Sequence, residues 1–361
     1  MLASELLAAR CNIGGFRRFP PEESAIVRRH ATRLFRRPFL HLAVVVAVLS
    51  AICRLSWAED YPTRPVTVIV PFAPGGASDV VARIICEYLS RALGQQFVIE
   101  NVVGAGGTTG TTRTMRASPD GYTIQLGQMG THAAAVALYP HLAYSPESDF
   151  EPIGMIAGLP IVITARKDFP ADDLQGFIRY VQANVRKVNV AHAGVGSITH
   201  ATCLLLHSLI AVDPTFVPFN GAGPAMNALL GGQVDYICNV IPDAVNHVHG
   251  GTAKGYAITT AERSPVLPNV PTSREAGLPQ FDASAWNALF APKGTPKPVL
   301  HKLADALDQA LDDESVRRRL LDLGCDIPAK SARGPQALAG LVKSEIARWT
   351  PIIKAASVKA E

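Results

Sequence analysis

Aromatic residues are scarce in this chain, at 7%, and charged residues make up only 18%, whereas hydrophobic residues reach 48%. That balance excludes a disordered polypeptide, and 361 residues are enough for two domains with cores of their own. Low-complexity tracts and internal repeats are missing, and no apolar run approaches the roughly 20 residues of a membrane span. Catalytic signatures are missing too. The ten histidines include His247-x-His249, but no H-E-x-x-H, carboxylate cluster or Cys/His ligand spacing accompanies the pair, so no metal site is expected. Neither paired acids at a catalytic spacing nor an intact cofactor fingerprint occurs, and no cofactor is expected.

Cysteine is sparse. Past residue 58 only Cys86, Cys203, Cys238 and Cys325 remain, none in a C-x-x-C pair, which is too few for a disulfide scaffold. A Cys203–Cys238 bridge is open in an oxidising compartment, but buried free thiols are the expected state.

The formal charge of +4 does not describe a basic face, because it sits at one end. Residues 1–58 hold nine Arg against three Glu, a surplus of six, so the rest of the chain carries 4 minus 6, or −2. Nucleic acid is therefore not an expected partner. The Arg-rich stretch runs into FLHLAVVVAVLSAI, an apolar segment of about 14 residues, and then the small-residue site Ser56-Trp57-Ala58. That order predicts an export signal cleaved after Ala58, by the general secretory route or, given Arg36-Arg37, the twin-arginine route. Ile52 before Cys53 is a poor fit to a lipidation site, and the length ahead of the signal leaves a start downstream of Met1 open.

Beyond Tyr61, β-branched runs at 66–70, 96–100, 123–126, 160–164, 188–192, 215–219, 234–237, 255–259 and 287–291 read as strands. Helical patterns fall between them. The clearest, 79–93, sets Val81, Ile85 and Leu89 at helical spacing and stops at Gly94. Alternation of this kind predicts parallel α/β sheets with no long unstructured loop. The C-terminal 65 or so residues turn helical: Thr295-Pro296 reads as a cap and first-turn proline, a short helix ends at Gly324, and Pro351 is expected to interrupt the last helix.

Two turns carry chemistry. In VTVIVPFAPGGASD, a buried strand ends in Pro74-Gly75-Gly76 and enters a helix, so free N–H groups and the positive helix end would face an anion, unless the motif is only a Gly-rich strand-to-helix connection. Gly75 and Gly76 let a ligand approach the backbone, Ser78 offers a hydroxyl, and Asp79 is expected to cap the helix. VAHAGVGSITHA repeats the logic with Gly196, Ser197, Thr199 and His200, as does Gly130-Thr131 after the strand at 123–126. VGAGGTTG at 103–110 fails as a dinucleotide or phosphate loop and reads as a turn opening a helix, with ligand or partner contact as the alternative. Ser197 and His200 invite a nucleophile pair, but G-x-G-S is not G-x-S-x-G and no orienting acid follows, so donor roles are preferred to catalysis.

From about Tyr61 onward the chain resembles the Bug-type receptors, the extracytoplasmic solute-binding component of tripartite tricarboxylate transporters. The stretches YPTRPVTVIVPFAPGGASDVVAR, VIENVVGAGG, SPDGYTIQLG, HAGVGSITH, VPFNGAGPAMNALLGGQVDY and ERSPVLPNVPTSREAGLP occur in order and carry the likeness. The resemblance implies an α/β, type II periplasmic-binding-protein fold: two α/β lobes joined by two hinge strands, with a helical C-terminal tail. It places the crossings near 161–164 and 284–289, with lobe 1 at 59–162 and 284–361 and lobe 2 at 163–283. It further implies a periplasmic, non-enzymatic monomer that binds a small carboxylate (a di- or tricarboxylate, amino acid or aromatic acid) for large and small membrane transporter subunits. A ligand sensor for a signalling system and a Ser/His hydrolase are the alternatives. The ligand residues carried over are Phe72, Gly75, Gly76, Ser78, Asp79, Gly130, Thr131, Gly196, Ser197, Thr199, His200 and Asn239. Relatives commonly carry Asp at the position of Asn239, and Asp243 does not obviously replace it.

Overall fold

The computed structural model describes residues 61–355; the predicted export signal, the Arg36-Arg37 pair and Cys53 lie outside the described residues. The strands are β1 (Val66–Val70), β2 (Phe97–Asn101), β3 (Thr123–Gln128), β4 (Phe150–Arg166), β5 (Asn189–His192), β6 (Thr215–Pro218), β7 (Tyr236–Val240), β8 (Ala253–Ile258) and β9 (Ser284–Pro292). They interleave with helices α1 (Ala77–Leu93), α2 (Thr108–Met115), α3 (Ala135–Leu138), α4 (Leu174–Ala183), α5 (Ile198–Ile210), α6 (Ala222–Leu230), α7 (Ile241–His249), α8 (Lys297–Asp312), α9 (Glu314–Asp322) and α10 (Gly334–Ala355).

All nine predicted strands are present, but the sheet is mixed rather than parallel. The path β2-β1-β3-β9-β4-β7-β5-β6 runs through both lobes, with β8 added to β4. β1 is parallel to β2 and β3, and β5 to β6 and β7, as βαβ crossovers require. β9 and β4 run antiparallel to their neighbours and link the two halves. β4 is much longer than the predicted 160–164 because Pro152, Gly154, Gly158 and Pro160 disguise it as turn sequence. Its register slips between Pro152 and Gly154 and again between Met155 and Ala157, which is how a strand accommodates such residues. Past Pro160, paired with Ser284 of β9, it takes up β7 and β8 as partners, so here one strand passes from the first lobe to the second.

Helix α1 buries Val81, Ile84, Ile85 and Leu89 on the face the spacing predicts, and Gly94 ends it in the left-handed region at φ 71°. Three local expectations are corrected. Thr295 donates its hydroxyl to Pro292 O, and Pro296 itself precedes the first residue of α8. Pro351 lies inside α10, whose Leu338, Trp349 and Ile353 are fully buried. Burial worth about 2 kcal/mol for each such side chain keeps the helix docked past the proline. The chain from 259 to 283 forms neither helix nor strand, and its two ends are tied by the Thr259 hydroxyl, which donates to Ala283 O at 2.5 Å.

Cys203 and Cys238 form a disulfide, with Cα atoms 5.2 Å apart, where free thiols were expected. The strand at 236–240 and α5 are adjacent layers of the second lobe, and this proximity across 35 residues is invisible in sequence. Cys86 and Cys325 are free and buried.

Candidate functional site

β1, β3, β5 and β7 all deliver their carboxyl ends to one place, the position at which open α/β sheets bind ligands. The turns leaving β1 and β5 meet there from opposite lobes. Between them lies a cavity of about 30 Å³, lined among others by Phe72, Gly76, Ser78, Asp79, Ser197 and Thr199. The lobes are closed on each other. Ala73 N–H donates to Asn220 O at 3.0 Å, and the Tyr139 hydroxyl lies 2.8 Å from Ala105 O and 2.7 Å from Val195 O, spanning the gap. Gly130, just past β3, packs against the second lobe: a Cβ there would fall 2.6 Å from Gly196 O.

The first turn has fewer open amides than its sequence suggests. Asp79 does not cap α1 from the N-cap position, which Gly76 holds; its Oδ2 instead accepts from Gly75 N–H at 3.0 Å. Arg83 grips the same carboxylate with two hydrogen bonds of 2.9 and 3.0 Å, and Asn101 Nδ2 donates to Asp79 Oδ1 and Phe72 O, both at 2.9 Å. Burial would raise the Asp79 carboxyl, but the bonds from Arg83, Asn101 and Gly75 outweigh it and hold the group below its ordinary value. The amide of the first helical residue, Ala77 N–H, donates at 2.5 Å to Oδ1 of Asp243, a carboxylate that reaches across from the second lobe. Two anions of the protein therefore already demonstrate what this helix end attracts.

The second turn follows the sequence reading closely. Ser197 is the N-cap of α5, its Oγ accepting from His200 N–H at 3.3 Å and lying 3.1 Å from Thr199 Oγ1. Thr199 Oγ1 accepts from Ala193 N–H at 2.8 Å. His200 does not face the cavity: its Nδ1 accepts from Gly196 N–H, as Nδ1 of His192 accepts from Gly194 N–H. Burial, with His192 and His207 close by, pushes His200 down to about 3, so the ring is neutral and braces the turn.

The structure thus brings Phe72, Gly76, Ser78, Asp79, Ser197 and Thr199 onto the cavity. Gly75, Gly130, Gly196 and His200 support its walls from behind. Thr131 is fully buried, its hydroxyl 2.9 Å from His132 Nδ1. Asn239 stands apart from these. It is fully buried in β7, opposite Val162, with Oδ1 accepting from Val240 N–H, and it does not line the cavity. Strand alternation turns it away, whereas Asp243, in the first turn of α7, is brought back to the cleft. Sequence reasoning also missed Gln128, which lines the cavity at the carboxyl end of β3, a position that could have flagged it.

A larger cavity of about 350 Å³ adjoins the first, sharing Phe72 and Ala193 with it. Gly104, Ala105, Gly106 and Gly107 line it opposite Gly194 and Val195, so the glycine-rich stretch that fails as a phosphate loop forms part of the interlobe cleft.

Residues 81–358 match the family model described as the tripartite tricarboxylate transporter family receptor, TctC. Among curated proteins, BugT of Bordetella pertussis is 33% identical over 303 residues, covering 84% of this chain and 92% of that protein. A protein encoded in the TAR-I ttuE-ttuC' intergenic region of Agrobacterium vitis is 39% identical over 315 residues, covering 86% and 91%. Among solved structures, MatC of Rhodopseudomonas palustris with bound malate superposes with a TM-score of 0.79 at 52% identity, covering 81% of this chain and 100% of that one. The periplasmic binding protein BugD gives 0.80 at 40% identity, covering 83% and 100%. R. palustris Rpa4515 with adipate gives 0.79 at 32%, covering 83% and 99%.

Proposed function

Because the chain belongs to the tripartite tricarboxylate transporter family of receptors, we propose that it captures a small carboxylate between its lobes in the periplasm and passes it to the large and small membrane subunits of such a transporter. The observation that carries this reading is the cavity itself, which is closed between two helix starts, Gly76–Ser78 from one lobe and Ser197–Thr199 from the other. Helix N-termini present N–H donors and the hydroxyls can donate beside them, which suits an anion. The bound malate of MatC and the adipate of Rpa4515 make dicarboxylates the first ligands to test.

The ligand enters by hinge opening. At about 30 Å³ the cavity has room for two or three waters, so a dicarboxylate must arrive with the lobes parted and be enclosed as they close. The lobes divide at the β4 and β9 crossings, 59–162 with 284–361 against 163–283, and the first 58 residues serve as the cleaved export signal. The receptor binds and releases its ligand unchanged.

The test is thermal denaturation of dialysed protein against a panel of mono-, di- and tricarboxylates, amino acids and nicotinate-like acids. A true ligand at about 100 times Kd stabilises by about 2.7 kcal/mol, a rise on the order of 5 °C. Silence across the whole panel would overturn the reading.

A further inference from the structure

The proposed function leaves one feature of the cavity unused, the carboxylate of Asp243. It approaches from the second lobe, 166 residues along the chain from its partner, and accepts the first amide of α1 at 2.5 Å. It lines the same cavity as Ser78, Asp79 and Ser197, and no lysine or arginine lines that cavity with it. We propose that Asp243 is a built-in competitor for the bound carboxylate: it holds the Ala77 amide when the site is empty, and the ligand must displace it.

This inference rests on the carboxylate reading of the site and sharpens it. The groups facing Asp243 from its surroundings do not relieve its charge. On α1 stands Asp79, whose positive partner Arg83 is already committed. From the segment after α9 comes Cys325, a thiol that burial, then Asp326 and Asp243, push up to about 12. From the other turn of its own lobe, Ser197 and Thr199 supply only hydroxyls to the cavity. Among the described residues no ion pair forms to Asp243. Burial raises its carboxyl to about 7, the bond from Ala77 N–H offsetting part of that rise. A second carboxylate brought to the same helix end repels the first, and the cheapest relief is protonation of Asp243. The neutral acid surrenders the amide, and one proton is taken up as the ligand binds. Dicarboxylate binding then weakens as pH rises. With the competent form protonated near pH 7, the loss between pH 6 and 8 is about tenfold.

The test is calorimetric titration of malate, and then adipate, into the wild-type protein, Asp243→Ala and Asp243→Asn at pH 6, 7 and 8. Wild-type affinity should fall about tenfold over this range, and two buffers of different ionisation enthalpy at pH 8 should report uptake of close to one proton per ligand. Asp243→Ala should bind more tightly than wild type at pH 8, and both variants should lose the pH dependence. Weaker binding by Asp243→Ala, or a wild-type affinity flat in pH with no proton uptake, overturns the competition and leaves the carboxylate reading in place. No binding of either acid or of the wider panel by any of the three proteins overturns that reading and the competition together. The proton measurement needs only the wild type, so a variant that fails to fold does not protect the proposal.

Discussion

Replacing Gly106 by alanine is expected to hold the lobes apart without unfolding either. Gly106 lies in the tight turn before α2 at φ +60°, and an added Cβ would sit 1.6 Å from Val195 O and 2.7 Å from Val195 C. Both are backbone atoms of the opposite lobe, so no side chain can swing aside. Real Cβ atoms stay at least 3.0 Å from such neighbours, so the two turns must separate by 3.0 minus 1.6, or 1.4 Å. That retreat breaks the bridge that Tyr139 makes between Ala105 O and Val195 O. The left-handed backbone costs a further 1–2 kcal/mol or so, borne inside the first lobe. Losing closure should weaken malate binding at least about tenfold, or about 1.4 kcal/mol by calorimetry. Small-angle scattering should show a larger radius of gyration that malate no longer reduces. Gly232→Ala is the control, at φ +71° with nothing within 4 Å of the new Cβ; it carries the backbone cost without the clash. Wild-type affinity in Gly106→Ala, or an equal loss in Gly232→Ala, would refute the reasoning.

The Cys203–Cys238 bridge closes a loop of 35 residues, so its removal should cost about 2–4 kcal/mol in urea unfolding; identical curves with and without reductant would mean that the thiols are free. Buried histidines set the acid limit of stability. Burial lowers His132, His200 and His207 from 6.5 to about 3. The unfolded chain takes up these protons first, so stability is full above about 6.5 and falls as pH drops toward 3, by up to about 1.4 kcal/mol per unit for each histidine. His132 stacks on Phe290 with ring centroids 3.9 Å apart, and His132→Phe should make this acid slope shallower; an unchanged slope contradicts the assignment.

The elements that a local pattern can encode were legible from the residues alone. β-branched runs announced nine strands, and Val81, Ile85 and Leu89 announced the buried face of α1. β4 was readable only in part, because Pro152 and Pro160 are signals for turns unless a partner strand supplies bulges to absorb them. Both glycine turns were visible as strands that end in Gly-Gly or Gly-x-Gly and run into a helix. Their occupancy was not. Asp243 meets Ala77 from 166 residues away, and Tyr139 meets Val195 from 56. For Asn239 the unread feature is smaller: one residue of strand parity separates a side chain in the cleft from one buried against Val162.

The central claim is that a carboxylate sits between the turns at Gly76–Ser78 and Ser197–Thr199, and amide chemical shifts during a malate titration of labelled protein test it most directly. The amides of Gly76, Ala77, Ser78, Ser197 and Thr199 should shift together and saturate with the calorimetric affinity. Saturable malate binding that leaves those five amides unmoved, while shifting Gly104 to Gly107 or another surface, would contradict it.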